Sequence, residues 1–317
     1  MKIGIIGYRN HTSKHINSLV DSKLVSNLLV YVYKAKIINR LKNKNKINYT
    51  CALKDLENCD GILICSPTIT HKSYISYFIK KNKYIFCEKP GASSKLEVQF
   101  LKNLKKKQKR KIYFNYNMRF SEIDKYFKKC FSQKKYGKVQ FIDIKLTNGI
   151  SFKNNFKNNW RFKSNNNFEK ISGNLGVHYV NLLMKFFNKF DYKKIINLKT
   201  NKRNDCSIIL MRSNNLISTC FFSYSSPYND EISIYFTNSI VKFSNNNVFA
   251  LYPRDTFDKK RLFKSPPKKK IGSFLNKNDY DLSNKKSVNY FLKIIKSKKS
   301  FLLKDFEDAI KSLKFFL

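Results

Sequence analysis

GILICSPTITHKSYISYFIKKNKYIFCEKP, residues 61–90, is the stretch of sequence that decides the fold. An apolar run at 62–65 leads into Ser66-Pro67, then a helical pattern of apolar residues, then a second apolar run at 84–87. This order predicts a strand, a helix and a second strand. Strands joined through a helix lie parallel in one sheet, so the stretch predicts a parallel sheet.

Polar residues follow both of these strands, at the point where each strand ends. Ser66-Pro67-Thr68 follows the first strand and Glu88-Lys89-Pro90 follows the second. Open parallel sheets bind their ligands just outside the carboxyl ends of the strands. We therefore expect both tripeptides to lie at the functional site.

The N-terminus repeats the pattern of a strand followed by a helix. Residues 2–7 form an apolar run that breaks at Gly7, and Tyr8-Arg9-Asn10 leads into a helical pattern. A glycine turn into a helix presents backbone N–H groups to a pyrophosphate, so these four residues are predicted to bind a cofactor. The motif is incomplete, because Arg9 and Thr12 occupy the second and third glycine positions of G-x-G-x-x-G.

A second strand is predicted at 28–33, and it is followed by Lys34. An acidic residue at this position binds the adenine-ribose hydroxyls in NAD-binding domains, whereas a basic residue can pair with a 2′-phosphate. Lys34 therefore favours NADP over NAD. In a chain so rich in lysine, an ordinary surface lysine remains an equally good interpretation.

Two domains are predicted, and the fold class is α/β. Strands and helices alternate as far as residue 116, which predicts a doubly wound parallel sheet in a domain of residues 1–118. Alternating apolar and polar residues then predict a mostly antiparallel sheet in a second domain, residues 119–317, with residues 252–281 as a long loop. Strands are expected at 139–146, 207–211, 217–223, 231–236 and 239–243, and helices at 123–131, 177–187, 286–295 and 304–316.

Composition restricts the environment and the partners. The 317 residues include seven cysteines, an odd number without a Cys-x-x-Cys pair, which predicts reduced thiols, a cytoplasmic protein and no metal site. The sequence suggests neither a signal peptide nor a membrane span. The formal charge of +43 comes almost entirely from lysines spread along the chain with abundant Asn, Ile, Phe and Tyr. We attribute it to codon bias in an AT-rich genome; an anionic partner or substrate is the alternative, and a nucleic-acid partner ranks last.

Six short motifs, taken together, carry a family resemblance. In this order and with this spacing the chain resembles the Gfo/Idh/MocA oxidoreductases from residue 2 to about 187. The motifs are Gly4-Ile5-Ile6-Gly7 with His15, Ile64-Cys65-Ser66-Pro67-Thr68 with His71, Glu88-Lys89-Pro90, Arg119-Phe120, Trp160-Arg161, and Gly173-Asn174-Leu175-Gly176-Val177-His178.

The resemblance implies an N-terminal Rossmann domain and a C-terminal α/β domain with an open sheet that forms the substrate cleft and a homo-oligomer face. It implies hydride transfer between the nicotinamide of NAD or NADP and a carbinol or ketone carbon of a sugar or nucleotide sugar. Ser66, Pro67, Thr68, His71 and Glu88 would then border the cofactor. Packing is an alternative role for His71.

Alcohol oxidation needs a group that takes the hydroxyl proton and a positive group that stabilises the developing alkoxide. His178, with an ordinary pKa near 6.5, is the predicted proton carrier, and Lys89 is the predicted positive group. A core histidine and an ordinary lysine are the alternatives. Arg119, Trp160 and Arg161 are expected to contact substrate, although Arg119 could instead tie the domains together.

One departure from the family bears on activity. Family enzymes commonly carry Asp-x-Gly-x-His where this chain has Asn174-Leu175-Gly176-Val177-His178. Asparagine can orient a substrate hydroxyl, but it cannot accept a proton or support a charged histidine electrostatically. Together with Arg9 and Lys34, Asn174 leaves open a catalytically impaired protein that binds a nucleotide or sugar as a sensor or assembly subunit.

Overall fold

The computed structural model describes all residues except 9, 35–45, 154–169, 200–203, 215, 245–246, 253–256 and 274–278. The chain forms two compact units. The first unit contains residues 1–120, 280–315 and 317, and the second contains 121–279 and 316. The predicted domain boundary at 118/119 therefore lies two residues before the point at which the chain enters the second unit, 120/121. Residues 280–315, which were predicted to belong to the second domain, belong to the first unit.

A six-stranded parallel sheet forms the centre of the first unit. Its order, β3-β2-β1-β4-β5-β6, reverses between β1 and β4, as in a doubly wound sheet. The short β3 escaped the sequence analysis because only one of its four side chains is buried. The strands are β1 Lys2–Ile6, β2 Asn27–Tyr31, β3 Ile47–Thr50, β4 Gly61–Ile64, β5 Tyr84–Cys87 and β6 Ile112–Phe114.

Helices cover this sheet, including two from the end of the chain. Val288, Phe291 and Leu292 of the penultimate helix are fully buried in the same core as Ile3 and Ile5 of β1. Their burial explains why the C-terminal segment belongs to the first unit. The helices are α1 Asn10–Val20, α2 His71–Lys80, α3 Lys95–Asn103, α4 Lys106–Lys109, α7 Asp279–Lys296 and α8 Leu303–Phe315.

An eight-stranded sheet forms the second unit, in the order β14-β13-β12-β11-β7-β10-β9-β8. Every neighbouring pair is antiparallel except β7 with β10. The strands are β7 Val139–Thr147, β8 Tyr192–Lys199, β9 Asn204–Ser213, β10 Leu216–Ser223, β11 Asn229–Phe236, β12 Ser239–Ser244, β13 Asn247–Leu251 and β14 Lys268–Ser273. The helices are α5 Glu122–Ser132 and α6 Val177–Phe187.

The two faces of this sheet differ in burial. On the inner face, Phe127 of α5 contacts Phe243 of β12 and Tyr179 of α6 contacts Phe222 of β10, with ring centroids 5.8 Å apart in each pair. The outer face keeps exposed apolar side chains, among them Leu198 and Ile217. The predicted α/β class, with one parallel and one mostly antiparallel sheet, is confirmed.

Three strands of the second sheet were not predicted, namely β8, β13 and β14. The last of these, Lys-Lys-Lys-Ile-Gly-Ser, lies within the predicted loop at 252–281. Three consecutive lysines and a glycine hide its alternation, and only pairing with β13 reveals it as an edge strand. None of the helices in the described residues combines the length and apolar content needed to cross a membrane.

A buried ion pair fastens α8 to the short helical turn Asn117–Phe120 that follows β6. The Arg119 guanidinium contacts Asp305 Oδ1 at 2.7 Å and Asp308 Oδ2 at 2.9 Å. The Arg119 side chain is 8% exposed and that of Asp308 only 1%, so neither charge is well solvated by water. Without the guanidinium, the buried Asp308 would depend on the exposed ammonium of Lys304, 3.0 Å from Oδ2, which compensates its charge less well than a buried partner does.

We therefore expect Arg119→Ala to lower the free energy of unfolding by about 3 kcal/mol, measured by urea denaturation. Lys125→Ala is the control, because it removes an exposed pair with Glu122 and should cost only about 0.5 kcal/mol. Equal losses in the two variants would show that Arg119 does not anchor the helix.

Candidate active site

The carboxyl ends of β1, β4, β5 and β6 bring four sequence segments to one edge of the first sheet. The ladder continues one residue beyond each strand: Cys65 N donates to Ile6 O at 2.8 Å, Glu88 N to Ile64 O at 2.9 Å and Asn115 N to Cys87 O at 2.8 Å. This edge therefore holds the Ser66-Pro67-Thr68 and Glu88-Lys89-Pro90 turns beside the Gly7 turn.

Gly7 occupies a position that excludes other residues. Its φ is +108°, and a Cβ built on it would lie 2.9 Å from the carbonyl oxygen of Cys65. Helix α1 begins three residues later, at Asn10. The chain thus turns tightly from β1 into a helix N-terminus, which is the arrangement that binds a pyrophosphate.

His71 joins the two turns that follow β4 and β5. Its Nε2 lies 2.8 Å from the Ser66 carbonyl oxygen and its Nδ1 lies 3.0 Å from the Pro90 carbonyl oxygen. Burial lowers the pKa of this imidazole, although the two carbonyl oxygens beside it act in the opposite direction. His71 therefore supports the turns through its ring, and its predicted place beside the cofactor stays a prediction.

The Glu88 carboxylate is the most closely held group at this edge. His15 Nε2 lies 2.6 Å from Glu88 Oε1, and Asn115 Nδ2 donates to the same oxygen at 2.7 Å. The Lys89 backbone N–H donates to Oε2 at 3.3 Å. The Glu88 side chain is 13% exposed and that of His15 is 1% exposed, so this negative charge is held by donors rather than by bulk water.

Lys89 follows Glu88 and is half-buried. The two cysteines nearest this turn are poor nucleophiles. Burial raises the pKa of the Cys65 and Cys87 thiols, and the Glu88 charge raises both further. Thiol chemistry at this edge is therefore disfavoured, and the catalytic role of Lys89 stays a prediction.

Lys34 and Tyr33 follow the neighbouring strand β2, and both side chains are exposed. The ammonium of Lys34 lies 5.6 Å from the centre of the Tyr33 ring, and the Tyr8 ring lies 6.4 Å from Tyr33. Tyr8 belongs to the Gly7 turn. The structure thus groups two aromatic rings and one positive charge beside the predicted pyrophosphate position.

In the second unit, one turn of π-helix, Ser172–Gly176, runs directly into α6. Asn174 and His178 lie in this segment and are 8% and 9% exposed. Asn174 Nδ2 donates to the Tyr224 hydroxyl at 2.8 Å. π-helical turns are frequent at functional sites, because the extra residue redirects the side chains.

Two residues of the site escaped the sequence analysis. Tyr224 follows β10 and is one of nineteen tyrosines, so nothing in the sequence distinguished it. Asn115 follows β6, and its position beyond a parallel strand was a usable signal. Arg9, Trp160 and Arg161 lie outside the described residues, as does the side chain of Asn10.

The remaining predicted contacts are distributed between the units. Lys89 belongs to the first unit, and Asn174 and His178 belong to the second. Arg119, a predicted substrate contact, directs its guanidinium at Asp305 and Asp308. In the described part of the chain, no three His, Cys, Asp or Glu side chains cluster as metal ligands would.

Comparison with known proteins agrees with this architecture. Residues 1–116 match the family model GFO_IDH_MocA, described as an oxidoreductase family with an NAD-binding Rossmann fold. Glucose-6-phosphate 3-dehydrogenase of Bacillus subtilis is 26% identical over 194 residues, 59% of this chain and 53% of that protein. The chain thus spans about half the length of this relative. The resemblance predicted from the sequence is confirmed.

Solved structures share the fold across the whole chain. A myo-inositol dehydrogenase from Corynebacterium glutamicum has a TM-score of 0.76 and 15% identity, covering 100% of this chain and 94% of that one. A 3-ketoreductase from Actinomadura kijaniata, in complex with NADP and TDP-benzene, has a TM-score of 0.78 and 11% identity, covering 98% and 94%. At these identities the likeness establishes the fold alone.

We expect Gly7→Ala to weaken NADPH binding about 10-fold, since the new Cβ strains the turn and displaces the backbone at Cys65. Nicotinamide fluorescence titration measures the dissociation constant. Gly137→Ala is the matched control: Gly137 also has a positive φ, +86°, but lies in the second unit, so it should lower stability and leave NADPH affinity unchanged. Equal affinity in Gly7→Ala and the wild type would remove Gly7 from the cofactor site.

Proposed function

We propose that the chain is an NAD(P)-dependent dehydrogenase or reductase that acts on a carbinol or ketone of a sugar or nucleotide sugar. The match of residues 1–116 to the Gfo/Idh/MocA oxidoreductase model, with its NAD-binding Rossmann fold, supports this proposal. One observation carries the proposal. The Gly7 turn and the Glu88-Lys89 turn lie at the carboxyl edge of the same parallel sheet, where a dinucleotide and its reacting end would bind.

The residues at this edge fit a nicotinamide dinucleotide. The backbone after Gly7 and the start of α1 would hold the pyrophosphate, because the turn leaves no room for a side chain there. Ser66, Pro67 and Thr68 would border the nicotinamide end. When bound, the nicotinamide gives or takes the hydride.

The protein itself has to supply charge and proton transfer. Lys89 would polarise the reacting oxygen, because its ammonium is the positive group of the Glu88-Lys89-Pro90 turn. His178 would carry the hydroxyl proton, and Asn174, fixed by its hydrogen bond to Tyr224, would orient that hydroxyl.

The substrate class rests on the relatives and on charge. The names of the proteins compared above refer to a sugar phosphate, an inositol and a TDP compound. The formal charge of +43, attributed above mainly to codon bias, would under its alternative interpretation favour a phosphorylated sugar or a nucleotide sugar over a neutral sugar.

We expect Lys89→Ala to lower kcat at least 100-fold, while the dissociation constant for the cofactor changes less than about threefold. Turnover of a panel of sugar phosphates and nucleotide sugars, followed by nicotinamide absorbance, gives kcat. Lys95→Ala removes an exposed lysine six residues away and is the control. A variant at Lys89 with wild-type kcat would exclude this lysine from the chemistry.

For the cofactor we propose NADP over NAD, with Lys34 paired to the 2′-phosphate. Lys34→Ala should raise the dissociation constant for NADPH about 10-fold and leave that for NADH unchanged, because only NADPH carries the phosphate. Fluorescence titration of both cofactors at two salt concentrations measures this, with the exposed Lys23→Ala as control. An equal effect on both cofactors would contradict the assignment.

Asn174 supports a second candidate, a protein of this fold that binds the nucleotide or sugar without efficient turnover. Asn174→Asp separates the two. If asparagine suffices for orienting the substrate, kcat should stay within about threefold of the wild type, measured on the same sugar panel. A kcat at least 10-fold above the wild type, about what a restored acid-base group contributes, would support the hypothesis of a catalytically impaired protein.

A further inference from the structure

Asn115 connects Glu88 to the C-terminal helix α7. Its Nδ2 donates to Glu88 Oε1 at 2.7 Å and to Asn284 Oδ1 at 3.2 Å, and its Oδ1 accepts from Ser287 Oγ at 2.7 Å. Asn115, Asn284 and Ser287 are 2%, 5% and 0% exposed. The proposed chemistry uses none of these three buried polar side chains.

A hydrogen bond within α7 fixes which atom donates and which accepts in the series Asn284, Asn115, Glu88. Asn284 Nδ2 donates to the Tyr280 carbonyl oxygen at 3.0 Å, and a carbonyl oxygen can only accept. Asn284 must therefore direct its own Oδ1 at Asn115, and Asn115 must donate to it through Nδ2. The second hydrogen of that amide group then points at Glu88, so Glu88 Oε1 has to accept.

A second series of hydrogen bonds, through Tyr113 and Ser287, reaches the other end of the Asn115 amide and imposes the same orientation on it. Ser287 Oγ donates its one hydrogen to Asn115 Oδ1, and Tyr113 Oη lies 3.0 Å from Ser287 Oγ; burial raises the pKa of Tyr113, so this phenol keeps the hydrogen that it can donate to Ser287. With Tyr113 donating to its oxygen, the Ser287 hydroxyl donates to Asn115 Oδ1. Asn115 thus has no second amide orientation of equal energy.

We propose that Asn115, Asn284 and Ser287 are positioning residues through which helix α7 keeps Glu88 a charged acceptor and holds the adjoining Lys89 in place. The inference rests on the proposed function, because Glu88 and Lys89 belong to the site that this function requires. In this arrangement helix α7 sets the geometry of the Glu88-Lys89 turn, which lies some 200 residues earlier in the sequence.

The arrangement also determines the tautomer of His15. An ionised carboxylate can only accept, so with Glu88 charged the hydrogen in the 2.6 Å contact comes from His15 Nε2. Among the described residues, His15 Nδ1 is buried without a hydrogen-bond partner, as expected for a ring nitrogen that carries no hydrogen. The imidazole of His15 therefore reports on the orientation of Asn115.

The test compares two sets of substitutions on one helix. Asn284→Ala with Ser287→Ala removes both constraints on Asn115. Ser283→Ala is the control: Ser283 is 0% exposed and accepts from Asn117 Nδ2 at 2.9 Å, so it ties the same helix to the same sheet edge without reaching Glu88.

The first readout is ¹⁵N NMR of the four histidine rings, with His15 assigned by its loss in His15→Gln. The wild type and Ser283→Ala should show the hydrogen of His15 on Nε2, and the double variant should show a shifted or mixed signal. A folded double variant with the wild-type His15 signal would overturn the proposal. This readout needs no substrate, so it decides even if the wild type turns over no sugar and the proposed function fails.

The second readout is turnover. The double variant should lose about 10-fold in kcat with NADPH affinity within threefold of the wild type, because misplacing a catalytic group slows chemistry more than binding. Ser283→Ala should match the wild type, and equal kcat in both variants would refute the proposal. If the double variant does not fold, Asn115→Asp replaces it: the shape is kept, the donor is lost, and the same changes in kcat and His15 signal are expected.

Discussion

The hydrogen bonds to the Glu88 carboxylate connect the separate segments at the carboxyl edge of the first sheet. A charge that is 13% exposed needs donors, and it receives them from His15 on α1, from Asn115 after β6 and from the backbone of Lys89. A single oxygen, Oε1, thus joins α1, the helix that follows the Gly7 turn, to the segment after the edge strand β6. Because these contacts are charge-assisted and buried, they define the position of the Glu88-Lys89 turn more narrowly than apolar packing would.

The C-terminal segment completes that unit in two distinct ways. Apolar residues of α7, including Phe291 and Leu292, fill the core beneath the sheet, and the Arg119 ion pair with Asp308 fastens α8 to the helical turn that follows β6. The same helix α7 presents Asn284 to the active edge. One helix therefore contributes both to the apolar core and to the hydrogen bonds around Glu88. On the inference drawn above, the position of Glu88 depends on α7 being packed in place.

The sequence predicted the parts of this structure that local pattern determines. The strand, helix and strand of residues 61–90 could be recognised because their apolar periodicity is strong and both strands are buried on both faces. The return of residues 280–315 could not, since the helical pattern of α7 shows an apolar stripe but not the sheet that it covers. For the same reason the partners of Glu88 were missed. His15, Asn115 and Asn284 are far apart in sequence, and only the sheet order brings them together.

Asn174 shows how a departure from a family pattern can be compatible with the fold. An aspartate at a position 8% exposed would carry a charge that requires compensation, whereas asparagine is satisfied as a neutral donor to Tyr224. Under the proposed function the cost would fall on His178, because a neutral amide does not stabilise an imidazolium as a carboxylate would. Under the proposed function, a chain with asparagine here would depend more on Lys89 for transition-state stabilisation. This dependence gives physical weight to the hydrogen bonds that hold the Glu88-Lys89 turn in place.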